Sequence, residues 1–506
     1  MGDCAIPTDY GTADVLRPTV SERRVIWSQI IAVNVNNIMV LANGMVAGYP
    51  TVLIPSLYDE KINSQSSAIT EDQISWIGPI GFTCALLGCL LSGIITQPLG
   101  RTRALRLGCP FLVAAWLVFL FANEMWQIYL ALCLGGLTSS LVEAPIIAYK
   151  AEVSQPHLRG MFSGTTSLFS VIGVLVQFIL GTFLHWRTVA AISSSFPLLT
   201  FVFLFFIPES PHWLIMRGRK ETAHKSLAWL RGWTTLDEVE AEFRTLCGRC
   251  DTEQEAEASS SREAVRGSMW KKYMEKRFLW PLSLVCFIFF LSHFNGSCTL
   301  QTYAANILTT MEAPVDQFYA TVMLGITEVV GCFLSLFVVR YCGKRVMGMA
   351  TLCAVGICVV AVGAYAFIID MPYLKLDEVC ETFLITPSAW IPVCLILLLS
   401  FIAHTGIRVL PWILLGEIFP HETRAVGCGI GSASYYLFIF ISDKLIIVMV
   451  NAMTIFGVYQ LYAAISVVGA LIMHFGLPET EGKDLDDVID HFSEVSKLDN
   501  RVKKRE

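Results

Sequence analysis

The stretch Glu152-Val-Ser-Gln-Pro-His-Leu-Arg159-Gly160 lies between two long apolar segments, and a related stretch, Glu417-Ile-Phe-Pro-His-Glu-Thr-Arg424, lies in the second half of the chain. In each stretch an acid and a base stand seven positions apart, with a proline between them. Ionised side chains are costly beside hydrocarbon, so a repeated acid–base pair next to apolar segments indicates a specific contact at helix ends. The repetition also predicts a chain built from two related halves.

The composition is that of a membrane protein. Of the 506 residues, 54% are hydrophobic and only 15% are charged, whereas soluble proteins carry about 25% charged residues. Apolar stretches of roughly 18 or more residues recur, each long enough to cross about 30 Å of hydrocarbon as a helix. The helices of a large soluble protein would alternate polar and apolar faces instead. Residues 1–21 are polar, so we expect no cleavable signal peptide.

We therefore predict an all-α membrane protein with twelve transmembrane helices in two pseudo-symmetric six-helix halves. The predicted spans lie near 25–50, 74–98, 105–122, 126–150, 161–184, 188–207, 279–309, 318–341, 346–369, 389–415, 425–451 and 454–477. The one long polar segment divides them six and six. The predicted domains are an N-terminus (1–24), a first half (25–207), a linker with short helices (208–278), a second half (279–477) and a C-terminus (478–506).

Basic residues concentrate in the loops at one end of the predicted bundle. Because cytoplasmic loops carry the excess of Lys and Arg, we expect this end, both termini and the linker to be cytoplasmic. The opposite loops are rich in acids, such as Asp59, Glu60 and Glu381. The basic set comprises Arg23, Arg24, Arg101, Arg103, Arg106, Lys150, Arg159, Lys271, Lys272, Lys276, Arg277, Arg340, Lys344, Arg345 and Arg424.

Four ordered motifs give the chain, between about 25 and 490, its resemblance to a known family. They are Tyr149-x-x-Glu152…Arg159-Gly160, Pro208-Glu-Ser-Pro-His-Trp-Leu214, Pro411-Trp412…Gly416-Glu417-Ile-Phe-Pro420…Arg424, and Pro478-Glu-Thr-Glu-Gly-Lys483. With them the chain resembles the sugar-porter branch of the major facilitator superfamily. The stretch Ile69-Thr-Glu-Asp-Gln-Ile-Ser-Trp76 looks most like that of the insect facilitated trehalose transporter-like proteins.

The resemblance implies a cytoplasmic gate. Its acids and bases interlock the two halves when the site faces outward and separate when it faces inward, as charge pairs that break and re-form can do. The alternative is that these residues only anchor helix ends. Two family acids are missing, at Gln97 and Arg340. The gating candidates are Arg101, Glu152, Arg159, Glu209, Lys344, Arg345, Glu417, Arg424 and Glu479.

The substrate site implied by the resemblance has diverged. In the seventh span Ser292 and His293 stand where the family has two glutamines, and Cys298 stands at its asparagine position. Tyr303 and Trp412 keep the family's aromatic positions, while Glu328 replaces a ligand asparagine and Arg408 enters the tenth span. Polar Asn34 and Asn37 share a face of the first span. The candidates for substrate binding are Asn34, Asn37, Gln177, His293, Gln301, Tyr303, Glu328, Arg408 and Trp412.

Several of these assignments keep an alternative. An ion pair between Glu328 and Arg408 either serves the substrate or only fixes helix packing. Gln177 and Gln301 either bind substrate hydroxyls or form hydrogen bonds between helices. Membrane-embedded ionisable groups are functional candidates in general, and Glu143, Asp443 and Lys444 join this set, the last two near the middle of the eleventh span.

The leading hypothesis is a facilitative carrier of a sugar, trehalose or a hexose, working by alternating access as a monomer in the plasma membrane. Uncoupled transport is favoured because Gly48-Tyr49 is followed by Pro50, where proton-linked relatives have an aspartate. The alternatives are a carrier of another polar or charged solute, with or without proton coupling, and a nutrient sensor that does not transport. We find no nucleophile–base motif, phosphate loop or complete metal cluster, so we expect no enzyme, no cofactor and no nucleic-acid partner.

Overall fold

The computed structural model describes residues 21–63, 73, 76–248, 250–251, 273–298, 307–308, 314–315, 317–370, 373, 390–419, 423–481, 483 and 491–492. This part of the chain contains long helices and no β-strand. The first half comprises α1 (Glu22–Asn63), α2 (Ile77–Leu99), α3 (Arg101–Phe121), α4 (Met125–Leu141), α5 (Glu143–Val153), α6 (Pro156–Phe183), α7 (Trp186–Ser193) and α8 (Ser195–Phe203). The second comprises α11 (Lys276–His293), α12 (Gln317–Cys342), α13 (Lys344–Ile368), α14 (Trp390–Thr405), α15 (Leu410–Glu417) and α16 (Arg424–Gly476).

The predicted number of spans is confirmed. Among the described residues, eleven helical segments are long and apolar enough to cross a membrane, and Ile77–Gly93 is a shorter apolar helix. The helices α4 and α5 together form one span, Met125–Val153, because only Val142 separates them. Conversely, α16 holds two spans, because Thr454 leaves the helical conformation with φ 67° and ψ 165°. Apolar length and these backbone breaks together produce the twelve spans.

Each half has its own hydrophobic core. One cluster of buried residues runs through α1 to α8, and another runs through α11 to α16. The halves meet where α2 packs against α16 and α6 packs against α12. We call this contact between the halves the seam. Two separate cores joined by a narrower seam suit two rigid bodies that move relative to each other.

Two glycines make the sharp corners at one end of the bundle. Gly100, between α2 and α3, has φ 97°, and Gly343, between α12 and α13, has φ 81°. Both values lie in the left-handed region that glycine adopts without a steric penalty. The corners occupy equivalent places in the two halves, where Gly100-Arg101 and Gly343-Lys344 have related sequences. We call this end the basic end.

The linker contains two short helices, α9 (Pro211–Met216) and α10 (Lys220–Leu230), and residues 236–248 are also helical. Trp213, Leu214, Ile215 and Cys250 form a small core that packs against Cys247. Burial raises the pKa of the Cys247 thiol, which disfavours the reactive thiolate. The two cysteines therefore act as small apolar side chains in this arrangement.

Candidate functional site

A bidentate ion pair joins Arg101 to Glu152 at the basic end of the first half. The guanidinium Nη2 lies 2.7 Å from Oε1 of Glu152, and Nε lies 3.1 Å from Oε2. The two side chains are 15% and 16% exposed, so the pair is shielded from water on most sides. The Ser210 hydroxyl donates a further hydrogen bond to Glu152. This arrangement ties α3 and α5 to the start of the linker.

Glu209 caps the N-terminus of α3. Its carboxylate accepts hydrogen bonds from the backbone N–H of Arg101 at 3.0 Å and of Thr102 at 3.1 Å, and from the Thr102 hydroxyl at 2.7 Å. The first turn of a helix has unpaired N–H groups and the positive end of the helix dipole, so a carboxylate there is stabilising. Glu209 thereby holds the chain after α8 against the Gly100 corner.

The same construction occurs in the second half. Glu479 accepts from the backbone N–H of Lys344 at 3.0 Å and of Arg345 at 3.1 Å, which caps α13 as Glu209 caps α3. The Lys344 ammonium lies 2.5 Å from Glu417 and 2.9 Å from Glu481. The sequence repeat thus becomes a repeated three-dimensional contact. We call the two groups the hubs.

Every described ion pair in the hubs lies within one half, so the interlock between the halves is not among the described contacts. Arg101 pairs with Glu152 in the first half, and Lys344 pairs with Glu417 in the second. A bridge from α3 to α5 is favoured because the corner glycine places the first residue of α3 directly beside the end of α5. The side chains of Arg159 and Arg424 lie outside the described part of the structure. Arg345 bonds the carbonyl of His474, also within its half.

In the first half, a buried lysine organises the polar face of α1. The Lys150 ammonium lies 2.6 Å from Oδ1 of Asn37 and 2.7 Å from the Thr166 hydroxyl, and the residue is only 2% exposed. Its expected place in a cytoplasmic loop is therefore wrong. Because Lys150 occupies the Asn37 oxygen, the Asn37 amide nitrogen points to Oδ1 of Asn34, 3.1 Å away. Asn34 is exposed while Asn37 is buried, so only Asn34 is open to a solute in this arrangement.

Gln177 is used inside the first half. It is fully buried, and its Oε1 accepts a hydrogen bond from the Ser193 hydroxyl at 3.1 Å, which joins α6 to α7. Of the two interpretations, the bond between helices is the one that this structure contains. Gln301 and Tyr303 lie outside the described residues.

The second half buries ionisable groups at the depth of the seventh, eighth and tenth spans. Nδ1 of His293 lies 2.7 Å from the Phe289 carbonyl, and Glu328 accepts a hydrogen bond from Ser400 at 3.3 Å. Glu328 is 1% exposed, and in the described part of the chain no cation lies within ion-pair distance of it. The hypothesised direct ion pair with Arg408 is therefore not formed, although Arg408 interacts electrostatically with Glu328. Arg408 is itself half-buried.

Aromatic rings form a connected group beside these charges. Trp412 meets Tyr435 edge-to-face at 4.9 Å between ring centroids, and Tyr435 meets His293 at 4.8 Å. Tyr435 also contacts Tyr436 at 5.0 Å. Trp412, Tyr435 and Tyr436 are all half-buried, so parts of their rings remain accessible. The tyrosines belong to none of the four motifs, and no feature of the sequence indicates that they lie near Trp412.

Glu143 crosses the seam to this aromatic group. The Tyr436 hydroxyl of α16 donates to Oε2 of Glu143 at the start of α5, with a distance of 3.1 Å. The Cys89 thiol of α2 lies 3.9 Å from the same oxygen. Glu143 is half-buried. A side-chain hydrogen bond between the halves at mid-span is a contact that relative motion of the halves must break.

A second contact across the seam lies at the end opposite the hubs. The Lys444 ammonium stands 4.0 Å from the ring centroid of Trp76, within the range of a cation–π interaction. Lys444 follows the start of α16 by twenty residues, about 30 Å of helix, so it lies at the far end of its span and not near the middle. Asp443 beside it is buried.

The sequence profile described as "Sugar (and other) transporter" matches residues 30–492, which is most of the chain. The chain therefore belongs to this family of membrane transporters, and it has the major facilitator fold. It is similar to the facilitated trehalose transporter Tret1 of Drosophila yakuba, with 26% identity over 479 residues, 94% of this chain and 53% of that protein. The chain thus spans about half the length of this curated relative.

A relative of similar length to this chain is the facilitated trehalose transporter Tret1 of Polypedilum vanderplanki. It is 26% identical over 484 residues, which cover 95% of this chain and 91% of that protein. Among solved structures, the chain resembles the proton:xylose symporter XylE bound to 6-bromo-6-deoxy-D-glucose, with a TM-score of 0.71 and 17% identity over 90% of this chain and 98% of that one. At this identity the likeness establishes the shared fold.

Proposed function

We propose that this protein is a facilitative carrier that moves a saccharide, trehalose or a hexose, across the plasma membrane by alternating access. The observation that carries the proposal is the pair of hubs, which brace each six-helix half as a unit at the same end of the bundle. Two braced halves around a polar and aromatic seam are what a rocking carrier requires. The family membership and the printed activity of the insect relatives support the choice of a saccharide.

The proposed substrate site lies between the halves. Asn34 and Arg408 are accessible polar groups, and Trp412 offers a ring face on which a sugar can stack. Asn37, His293, Glu328 and Gln177 act from buried positions, by orienting neighbours or by changing rotamer when the halves separate. We retain Gln301 and Tyr303 as proposals from the family resemblance.

In the proposed cycle the hubs hold each half rigid while the seam opens. Arg101, Glu152 and Glu209 brace the first half, and Lys344, Arg345, Glu417 and Glu479 brace the second. Arg159 and Arg424 remain the proposed members that join the halves. The contact of Glu143 with Tyr436 breaks when α16 moves away from α5. Each broken contact is replaced by water or solute, so the two states differ by only a few kcal/mol.

We further propose that the basic end is cytoplasmic, that the linker and both termini lie on that side, and that the carrier works as a monomer. The positions of the basic residues support the orientation. Trp213 donates to the Gln97 carbonyl at 2.9 Å, so the start of the linker is part of the first half's basic end.

The proposal is tested by uptake of labelled trehalose and glucose into cells deficient in hexose transport. Trp412→Ala should raise the concentration for half-maximal uptake about tenfold, since an aromatic contact contributes about 1 kcal/mol or more beyond its buried area. Trp126→Ala is the matched control, because Trp126 is 58% exposed and its indole bonds only Glu124. Absence of uptake above background for every sugar would overturn the saccharide proposal.

A further inference from the structure

Glu143 has no positive partner in the part of the chain that the structure describes. Its carboxylate contacts the Tyr436 hydroxyl at 3.1 Å and the Cys89 thiol at 3.9 Å, and no Lys, Arg or His among the described residues lies within ion-pair distance. Both contacts are neutral donors. An ionised carboxylate at membrane depth costs several kcal/mol unless it is paired, because hydrocarbon and protein solvate charge poorly. The site therefore needs a positive charge from elsewhere, either a proton or a cationic group of the solute.

The nearest lysines along the helices do not supply that charge. Lys150 follows Glu143 by seven residues, about 10 Å of helix, and its ammonium is already held by Asn37 and Thr166. Lys444 follows Tyr436 by eight residues, about 12 Å, and stands over the Trp76 ring. In the second half, Arg408 interacts electrostatically with Cys298, Tyr435 and Glu328. Positive charge thus stands on the α15 side and unpaired negative charge on the α5 side.

The surroundings of Glu143 are suited to an organic cation. Tyr436, which bonds Glu143, contacts Tyr435, and Tyr435 contacts Trp412, with ring centroids 5.0 and 4.9 Å apart. The negative faces of aromatic rings attract ammonium groups, most strongly where water is excluded. Glu143 and all three residues that carry these rings are half-buried, so each keeps some exposed surface. A carboxylate beside accessible tyrosines provides both a charged hydrogen bond and cation–π contacts.

The divergence of the second half points the same way. Neutral sugars are held by hydrogen bonds from amide side chains, and three positions that the resemblance assigns to such amides hold Ser292, His293 and Cys298. Ser292 donates its hydroxyl to the Phe289 carbonyl and is 2% exposed, so it offers little to a solute. Hydrogen bonds to sugar hydroxyls have thus been lost on one side, while a carboxylate is present on the other.

We propose that the transported saccharide carries a protonated amine, and that Glu143 with the rings of Tyr435 and Tyr436 binds this ammonium group. This inference rests on the proposed function and names the substrate class of the same site. The ammonium replaces the missing positive charge, and the sugar ring lies towards Trp412. The solute crosses as a cation, with no covalent change.

The experiment uses the full chain in proteoliposomes with three probes: glucosamine, N-acetylglucosamine and glucose. Acetylation removes the ammonium and adds an acetyl group, so glucose, which is uncharged and close to glucosamine in size, controls for bulk. A charge-assisted hydrogen bond contributes about 1.5–3 kcal/mol, which corresponds to roughly tenfold to hundredfold in apparent affinity. At a pH below the pKa of the sugar amine, glucosamine should therefore be favoured over N-acetylglucosamine by at least about tenfold.

Two variants locate the preference. Glu143→Gln keeps the shape and removes the charge, so it should bring the two sugars to within about twofold of each other. Glu124→Gln makes the same change at an exposed carboxylate that bonds the Trp126 indole, so it should retain the preference. The comparison of sugars in the unmodified protein stands even if a variant fails to fold.

The remaining outcomes refute the inference in distinguishable ways. Equal uptake of glucosamine and N-acetylglucosamine overturns the amine assignment and leaves the saccharide carrier intact. Absence of uptake of every sugar overturns the proposed function itself. A third outcome has three parts: the unmodified protein shows no preference for the amine, its uptake of glucose falls as pH rises, and Glu143→Gln abolishes this pH dependence. In that case the missing charge is a proton and the amine assignment is wrong.

Discussion

Arg101 and Glu152 provide a quantitative test of the hub in the first half. At an effective dielectric constant of about 20, two unit charges about 4 Å apart attract each other by about 4 kcal/mol. Desolvation and the ordering of two side chains remove roughly half of this. We therefore expect a coupling energy of about 2 kcal/mol from the double-mutant cycle of Arg101→Ala and Glu152→Ala, measured as the free energy of unfolding in mixed detergent micelles.

A pair with the same closest distance between nitrogen and oxygen, but with different burial, gives the control. Lys225 and Glu221 also lie 2.7 Å apart, but their side chains are 63% and 84% exposed, against 15% and 16% for the hub pair. Exposed pairs are screened by water and salt, so the cycle on Lys225 and Glu221 should show no measurable coupling. Equal coupling in both cycles would refute the reasoning, because it would mean that burial does not set the strength of the hub.

Two further variants test the corner and the buried lysine. Gly100→Ala should destabilise the protein by about 1–3 kcal/mol in thermal unfolding, because φ is 97° and the new Cβ would lie 2.8 Å from the Glu209 carboxylate. The control is Gly93→Ala, where the new Cβ meets open space, so this variant should be neutral or stabilising in the same measurement. Lys150→Met should lower the affinity for sugar several-fold at nearly unchanged protein abundance, because Asn37 loses the group that orients it. If Lys150 had only a structural role, the variant would lower protein abundance and leave the affinity of the remaining protein unchanged.

Much of the fold follows directly from the sequence, because membrane helices have to satisfy every backbone group internally and show as long apolar runs. The twelve spans follow from this rule, and the long polar segment after the sixth span divides them into halves. The repeat of an acid, a proline and a base correctly marked equivalent places in the two halves. The corners also repeat, since few residues other than glycine adopt the left-handed conformation at Gly100 and Gly343.

The contacts of the candidate site were less predictable, because their partners are far apart in the chain. Lys150 was counted among loop bases on charge alone, yet its partner Asn37 lies 113 positions away on another helix. Helix ends are uncertain by several residues in sequence analysis, which is enough to move a lysine from loop to interior. Glu209 was assigned to the gate by resemblance, and nothing in the local sequence indicates that it caps α3.

The hydrogen bond between Glu143 and Tyr436 illustrates the same limit. Each residue alone is an ionisable or polar group in an apolar span, for which sequence gives a general expectation of function but no partner. Their separation of 293 positions, across two different halves, is bridged only when the halves pack along the seam. Tyrosines on the eleventh span were therefore absent from the predicted site.

The most direct test of the central claim is counterflow in proteoliposomes that contain the full chain. Vesicles preloaded with unlabelled glucose or trehalose are diluted into a trace of the same labelled sugar. Inside the vesicles the unlabelled sugar competes with the label for the inward-facing site and slows its exit, so we predict transient accumulation of label above the external concentration. Binding of the label without entry, or entry without this transient accumulation, would contradict an alternating-access carrier.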